Sequence, residues 1–154
     1  MKLCSLLAAF VSALVLAFAP ALHAQPKPAA PTVYTVGQGE TVLTIAKKLR
    51  YPAATENQMA YAIVRQNPNA FSLRTAERLL PGAKLQIPNE ATVLYNAACT
   101  FANLNRRVEA LDALRKAWDA GYKDADWTRR DPDLATLHGE PEFERLYPPT
   151  KPAS

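Results

Sequence analysis

Residues 33–42 read VYTVGQGETV, and this stretch decides the fold of the chain. The opening residues are β-branched or aromatic, which predicts a strand over 32–36. Gly37 and Gly39 end that strand. Thr41 can then cap a helix by accepting a hydrogen bond from a free amide of its first turn, and Glu40 is placed near the positive helix end. The stretch therefore predicts a strand, a glycine turn and a helix start.

Two amphipathic helices are predicted to follow. The first buries residues spaced i, i+3, i+4 and i+7 and ends at Pro52. The second starts at a capping box formed by Thr55 and Gln58 and stops at Asn67-Pro68, because proline disfavours helical geometry in the residue before it. The residues that share one face are Val42, Ile45, Ala46 and Leu49 in the first helix, and Met59, Ala62, Ile63 and Gln66 in the second.

A second strand completes the first module. Residues 71–80 are predicted to form a loop with at most one helical turn, Pro81-Gly82 a turn, and 84–87 an alternating strand. Antiparallel pairing of the two short strands is the simplest way to bury both helix faces. We therefore predict a βααβ domain at 32–89, which makes the fold class α+β.

The rest of the chain has a helical pattern. Helices are predicted at 93–104 and 108–120, with Gly121 ending the pair, and two shorter ones at 126–137 and 141–147. This gives a small all-α domain at 90–147. Residues 25–31 are a Pro/Ala linker, and 148–154 are predicted to be a flexible tail.

The first module resembles a LysM domain. The likeness is carried by 34–42, by Ile45-Ala46, by Asn67-Pro68 and by 80–88, which occur in the family's order. Glu40 and Val42 replace the more usual Asp and Leu. The long segment from Arg50 to Phe71 is similar to the LysM region of FimV-type pilus-assembly scaffold proteins.

The LysM resemblance implies a shallow groove that binds peptidoglycan or a related N-acetylglucosamine glycan, without a cofactor. Glycines there allow the main chain to approach the sugar, although the same residue types also simply make turns and caps. The implied glycan-binding residues are Gly39, Glu40, Thr41, Val42, Asn67, Pro68, Asn69, Leu80, Pro81 and Gly82.

The second module resembles a tetratricopeptide repeat unit, a fold that binds protein partners. Large and small residues stand at the repeat's packing positions, but Tyr122 replaces its usual proline. One repeat cannot bury its own face, so the closing segment over 126–143, a partner or a second copy is expected to cover it. The predicted protein-interaction residues are Leu94, Phe101, Leu114 and Trp118.

The N-terminus predicts export. Lys2 precedes an uncharged, largely apolar run from Leu6 to Ala19, and Ala24 suits signal-peptidase cleavage, so 1–24 is predicted to be a signal peptide. The alternative is a retained membrane anchor, but the run is shorter than the ~20 residues of a spanning helix and Pro20 interrupts it. A periplasmic or secreted, cell-wall-associated protein is expected, without a stable membrane span.

Charge and motifs argue against two further classes. Residues 33–90 carry seven basic and four acidic side chains, and 91–147 carry eight and ten, so a dense basic stripe for nucleic acid is missing. His138 is the one histidine after residue 24, and no serine lies in a nucleophile motif. The carboxylates at 131, 133, 140, 142 and 144 suit helix starts and solvated faces better than glycan cleavage. No enzyme, metal site or cofactor is predicted.

Three aromatic and thiol side chains are assigned to packing. Cys99 is predicted to be buried rather than paired between chains, because its neighbours are apolar. Trp118 is expected to pack on the back of its helix, and Trp127 to anchor the closing segment, in preference to forming a sugar platform.

The sequence thus favours a non-catalytic glycan-binding envelope protein. The alternative is an adaptor whose LysM fold does not bind sugar.

Overall fold

A computed structural model describes residues 33–71 and 79–149 of the 154-residue chain. The predicted signal peptide and linker lie outside these ranges, as do 72–78 of the predicted loop. The described chain is mostly helical with one small sheet, so the α+β class is confirmed. Its elements are β1 (Val33–Thr35), α1 (Val42–Leu49), α2 (Glu56–Gln66), β2 (Lys84–Gln86), α3 (Glu90–Asn103), α4 (Arg107–Asp119), α5 (Ala125–Arg130) and α6 (Pro141–Leu146), with 3₁₀ helices at Pro68–Ala70 and Pro132–Leu137. Across the described ranges, every helix is too short or too polar to cross a bilayer.

The sheet consists of β1 and β2 in antiparallel pairing. Tyr34 lies opposite Leu85, and Val33 and Thr35 lie opposite Gln86 and Lys84. This is the predicted pairing, although each strand is shorter than expected. Leu85 is fully buried while its two strand neighbours are exposed, so the sheet turns one face to the helices.

The starts of α1 and α2 are set by side-chain caps. Thr41 accepts a hydrogen bond from the Thr44 amide, and Thr55 accepts one from the Gln58 amide. In both helices the side chain of the third residue accepts a hydrogen bond from the backbone amide of the cap residue, which completes a capping box. The predicted caps are confirmed, and Thr44 is the partner that the sequence analysis did not name.

The first cluster of buried residues lies between the sheet and α1 and α2. Ile45, Ala46, Met59, Ala62 and Ile63 are all fully buried, as their helical spacing predicts. Gln66, predicted on the same face, is exposed because the helix ends there. The cluster also includes Val93 of α3, so it draws on both predicted domains.

The helical segments begin and end at residues that satisfy the backbone. Asn89 caps α3 by accepting a bond from the Thr92 amide, so this helix starts three residues before the predicted start at 93. The predicted helix over 126–137 is divided in two at Asp131-Pro132, where Asp131 ends α5 and caps the 3₁₀ helix. Gly121 has a φ of 104° and ends α4 as predicted.

The α3–α4 hairpin packs against both neighbouring parts of the chain. The 3₁₀ helix Pro132–Leu137 and α6 supply Leu134, Leu137, Phe143 and Leu146 to its core. In addition, α2 packs against α3, and Arg65 of α2 lies 3.8 Å from Asp133 of the 3₁₀ helix. The hairpin is therefore covered by α2 and by the closing segment.

Candidate functional site

Two glycine-containing loops meet at one end of the sheet. The Val36 amide donates a hydrogen bond to the Ala83 carbonyl, and the Gly82 amide donates one to the Val36 carbonyl, each at 2.8 Å. The turn before β2 is therefore bonded to the residue that begins the turn after β1. This places Val36, the residue before the 37–41 loop, directly beside the 80–83 turn. We call these two segments together the glycine cleft.

The main chain of the glycine cleft is open to solvent at Gly39 and Gly82. Their φ angles are +74° and +85°, a conformation that residues with a Cβ rarely adopt. A Cβ built on either glycine would meet no atom within 4 Å. Neither glycine is therefore required by close packing. Leu80, at 73% exposure, adds an apolar side chain to the same turn.

Glu40 lies in the cleft loop but turns its carboxylate inward. Oε1 accepts a 2.7 Å bond from the Tyr34 hydroxyl, and Oε2 accepts a 2.7 Å bond from the Gly37 amide. The Tyr34 bond, the Gly37 bond and the Lys48 charge together lower the pKa of Glu40 below its ordinary 4.5. Glu40 directly precedes the cap residue of α1, and its carboxylate satisfies the loop and the strand there.

Thr41 and Val42 have structural roles at the base of the cleft. The Thr41 hydroxyl is engaged in the capping box of α1. Val42 is partly buried against the first core. Both residues fix where the loop ends and the helix begins, so their side chains offer less to a ligand than the sequence analysis predicted.

Asn67 is not a surface residue, which corrects its assignment as a glycan contact. Its side-chain nitrogen donates to the Ile63 and Gln86 carbonyls at 2.7 and 2.8 Å, and its oxygen accepts from the Gln86 amide at 2.7 Å. These three bonds fix the end of α2 to β2. The side chain is 8% exposed and its hydrogen-bonding groups are occupied.

Pro68 and Asn69 are exposed, but they follow Asn67 at the Gln86 end of β2. Gln86 is three residues from Ala83, about 10 Å along a strand. The predicted set therefore separates into two groups. Gly39, Leu80, Pro81 and Gly82 remain exposed in the glycine cleft, whereas the Asn67-Pro68-Asn69 segment lies at the opposite strand end.

The predicted protein-interaction residues also separate. Leu94 and Leu114 are buried in the second core, where the chain itself surrounds them, so they are corrected to packing residues. Trp118 is partly buried, with its ring edge-on to Tyr147 at 5.3 Å and the Lys123 ammonium 3.7 Å from its centroid. Phe101 is half-buried, which leaves it open to a partner.

Phe101 lines a cleft of about 260 Å³ between α2 and α3. Across it Tyr61 is 45% exposed. The Arg106 guanidinium lies 4.7 Å from the Phe101 ring centroid, and that of Arg65 lies 5.9 Å from the Tyr61 centroid. The lining comprises Asn57, Gln58, Tyr61, Ala97, Thr100 and Phe101. Sequence reasoning missed this cleft because its walls come from both predicted domains.

A separate cluster of titratable side chains consists of Cys99, Asp131 and Asp133. The Cys99 sulfur and one carboxylate oxygen from each aspartate lie within 4.8 Å of one another. Asp131 is buried, and its carboxylate accepts from the Tyr95 hydroxyl at 2.6 Å and the Asp133 amide at 3.0 Å. The Cys99 thiol lies 3.7 Å from the same carboxylate. Burial, followed by the charges of Asp131 and Asp133, raises the pKa of Cys99 to about 12. The thiol therefore stays protonated at neutral pH and is a poor nucleophile.

The structure separates the packing predictions for Cys99 and Trp127. Cys99 of α3 is buried, as predicted. Trp127 of the closing segment is 50% exposed, so it does not anchor that segment. Thr128 is the buried residue of α5, and its hydroxyl donates to the Asp124 carbonyl at 2.6 Å. His138 is exposed, with its ring 5.1 Å from that of Phe143. Asp131 begins a helix as predicted but is buried rather than solvated.

The fold and these surfaces define an α+β protein with an exposed glycine cleft and a separate interhelical cleft. No family model matches the chain, and no solved structure matches it. Among curated proteins, the chain is similar to a chloroplastic protein of Arabidopsis thaliana, with 43% identity over 60 residues. That alignment covers 38% of this chain and 18% of the chloroplast protein. The similarity is local.

Proposed function

We propose that this chain is a non-catalytic peptidoglycan-binding protein of the bacterial envelope that holds N-acetylglucosamine glycans in the glycine cleft of a LysM-type domain. The observation that carries the proposal is the adjacency of two exposed glycine turns, joined through Val36. Its second support is the order of strands and helices, which is the order that the LysM resemblance implies.

The chemistry of the cleft suits an acetylated amino sugar. Such a sugar offers an amide for backbone hydrogen bonds and a methyl group for apolar contact. The open main chain at Gly39 can supply the first, and the exposed Leu80 can supply the second. The Gly82 amide is already bonded to Val36, so Gly82 contributes open space rather than a donor. No charged protein side chain is needed to bind such a sugar, so the Glu40 carboxylate can remain engaged within the loop.

The test is cosedimentation of the purified chain with insoluble peptidoglycan. Gly39→Asn and Gly82→Asn place a side chain in the cleft while keeping a residue that tolerates positive φ. We expect each to reduce the bound fraction at least tenfold at about micromolar protein. Gly139→Asn is the matched control, because Gly139 also has a positive φ of +86° and open space around its Cβ position.

The proposal fails if the wild-type chain stays in the supernatant, or if Gly139→Asn reduces binding as much as the cleft variants do. Titration with chitin oligomers gives an independent measurement. The amide resonances of 37–41 and of residues 80, 82 and 83 should shift, while those of α4 and α6 should stay in place.

A second candidate function is that of an envelope adaptor whose LysM-type fold does not bind sugar. The observation that favours it is the interhelical cleft, where Tyr61 and Phe101 expose aromatic surface. Photo-crosslinking from position 61 in the native host would capture one defined partner, and Phe101→Ala would abolish that product. A crosslinked band that is unchanged in Phe101→Ala contradicts this function.

A further inference from the structure

The loop of the glycine cleft is held from inside by a network of three side chains on three elements. Glu40 accepts bonds from Tyr34 of β1 and from the Gly37 amide, each at 2.7 Å. Lys48 of α1 donates to the Tyr34 hydroxyl at 3.1 Å and lies 3.9 Å from Glu40 Oε1. Its ammonium is also 5.3 Å from the Tyr34 ring centroid. The network therefore connects the loop to the strand and to the helix.

Gly37 shows how closely the carboxylate fits the loop. A Cβ at this position would lie 3.2 Å from Glu40 Oε2 and 3.3 Å from its Cδ, tighter than an ordinary contact. The Glu40 amide in turn points back to the Gly37 carbonyl at 3.4 Å. The carboxylate thus packs against the backbone of the turn at Gly37, while the Cβ position of Gly39 meets no atom within 4 Å.

We propose that Glu40 is a positioning residue of the glycan site, whose ionised carboxylate holds the 37–40 turn in its binding shape without touching the sugar, so that glycan binding is lost when acid protonates it. This inference rests on the proposed function and adds its regulation by pH. The Tyr34 hydroxyl and the Gly37 amide both donate to Glu40, so each needs an acceptor oxygen. A protonated carboxyl group has one oxygen that donates, and it no longer attracts Lys48.

The direction of the pH dependence follows from the groups that face Glu40. These are the Tyr34 hydroxyl, the Gly37 amide and the Lys48 ammonium, which lower its pKa below 4.5 in that order. The loop shape is then fully present at neutral pH and is lost as pH falls through this lowered value. Binding should therefore persist at mildly acidic pH and begin to decline only once the pH is below 4.5, the ordinary pKa of glutamate.

The experiment titrates wild type, Glu40→Gln and Tyr34→Phe with a chitin oligomer by calorimetry between neutral pH and about pH 3.5. Glu40→Gln keeps the size of the side chain but loses one acceptor. We expect it to weaken binding about tenfold at neutral pH and to remove the acid-dependent decline. Tyr34→Phe should weaken binding less than Glu40→Gln does. Glu109→Gln is the control, because Glu109 also has a lowered pKa but lies on α4, paired with Arg106.

An amide spectrum separates positioning from direct contact. In unliganded Glu40→Gln, the resonances of 37–40 should shift while those of α2 do not. If binding falls but the loop resonances are unchanged, Glu40 contacts the sugar and the positioning role is wrong. If Glu40→Gln binds as tightly as wild type over the whole pH range, the proposal is overturned. If wild type binds no glycan at any pH, the proposed function fails first, and this inference fails with it.

Discussion

Asn67 shows how a single residue type can carry two interpretations that only the folded chain distinguishes. In the sequence it closes α2 and belongs to the Asn-Pro pair that resembles part of the LysM signature, and the resemblance implies a glycan contact. In the fold it makes three bonds to the backbones of α2 and β2. A short amide side chain is suited to this because it donates and accepts at the same time.

Asn67→Ala should therefore destabilise the fold rather than reduce binding selectively. The change removes three hydrogen bonds and leaves backbone groups of Gln86 and Ile63 without their partner, so we expect a loss of about 2–4 kcal/mol. Urea denaturation measures this. Asn69→Ala, an exposed neighbour, is the control and should stay within about 0.5 kcal/mol of wild type. Equal stabilities of the two variants would contradict the assigned role.

Cys99 gives a pH-dependent prediction at the same scale. Its pKa is raised from 9.0 to about 12 in the fold, so the unfolded chain loses this proton first as pH rises. Because the unfolded state then binds fewer protons, stability falls with increasing pH above about 9. Tyr51, Tyr95, Tyr122 and Tyr147 also have raised pKa values and add to this loss as the pH approaches their ordinary value of 10.0, so a Cys99→Ala variant is needed to isolate the share of Cys99.

The measurement is the urea midpoint at neutral pH and at about pH 10. We expect it to fall for wild type, and to fall less for Cys99→Ala, which has no thiol to ionise. A thiol reagent should leave native Cys99 unmodified and react after unfolding. Rapid modification of the native chain would show that this thiol is accessible.

At the scale of elements, the starts of helices were predictable where the cap is local. Thr41 and Thr55 lie within three residues of their partners, so the sequence alone located α1 and α2. Asn89 follows the same rule, but the apolar periodicity, which points to a start at Val93, obscures its signal. The break at Asp131 is visible in the sequence as Asp-Pro, but its burial depends on Tyr95, which is distant in sequence.

The bond between Tyr95 and Asp131 connects α3 to the 3₁₀ helix at Pro132–Leu137. Tyr95→Phe removes the 2.6 Å donor and leaves Asp131 Oδ2 beside the weaker thiol donor of Cys99. We expect a loss of about 1–3 kcal/mol and faster amide exchange in the 3₁₀ helix. Tyr61→Phe is the control because Tyr61 is exposed. Unchanged exchange in Tyr95→Phe would mean that apolar packing alone holds the segment.

At the scale of the whole molecule, the sequence could predict which residues are apolar at helical spacing but not what covers them. Leu94, Phe101 and Leu114 share the same repeat-like spacing, yet two are buried and Phe101 is half-buried. Leu94 and Leu114 are buried because α6 and the 3₁₀ helix contribute side chains to the second core. Phe101 instead faces the cleft between α2 and α3, so it stays partly exposed. These contacts join segments far apart in sequence, where local periodicity carries no information.

The same contacts predict that the two cores unfold together. Val93 of α3 belongs to the first core, and Arg65 of α2 lies 3.8 Å from Asp133 of the closing segment. Trp118 packs against the second core and Trp127 lies on α5, so tryptophan fluorescence reports the helical part of the chain after 90. Ile45→Ala, in the first core, should lower the urea midpoint of that fluorescence transition, since such truncations cost about 2–5 kcal/mol.

Leu43→Ala is the matched control, because Leu43 lies on the same helix as Ile45 but is 51% exposed. It should leave the tryptophan transition within about 0.5 kcal/mol of wild type. Far-ultraviolet circular dichroism should give the same midpoint as fluorescence in every variant, as a single cooperative transition requires. If Ile45→Ala lowers the dichroism midpoint while the tryptophan transition stays in place, the two modules fold independently. The contact between α2 and α3 then contributes little to stability, and the hairpin depends on its own closing segment.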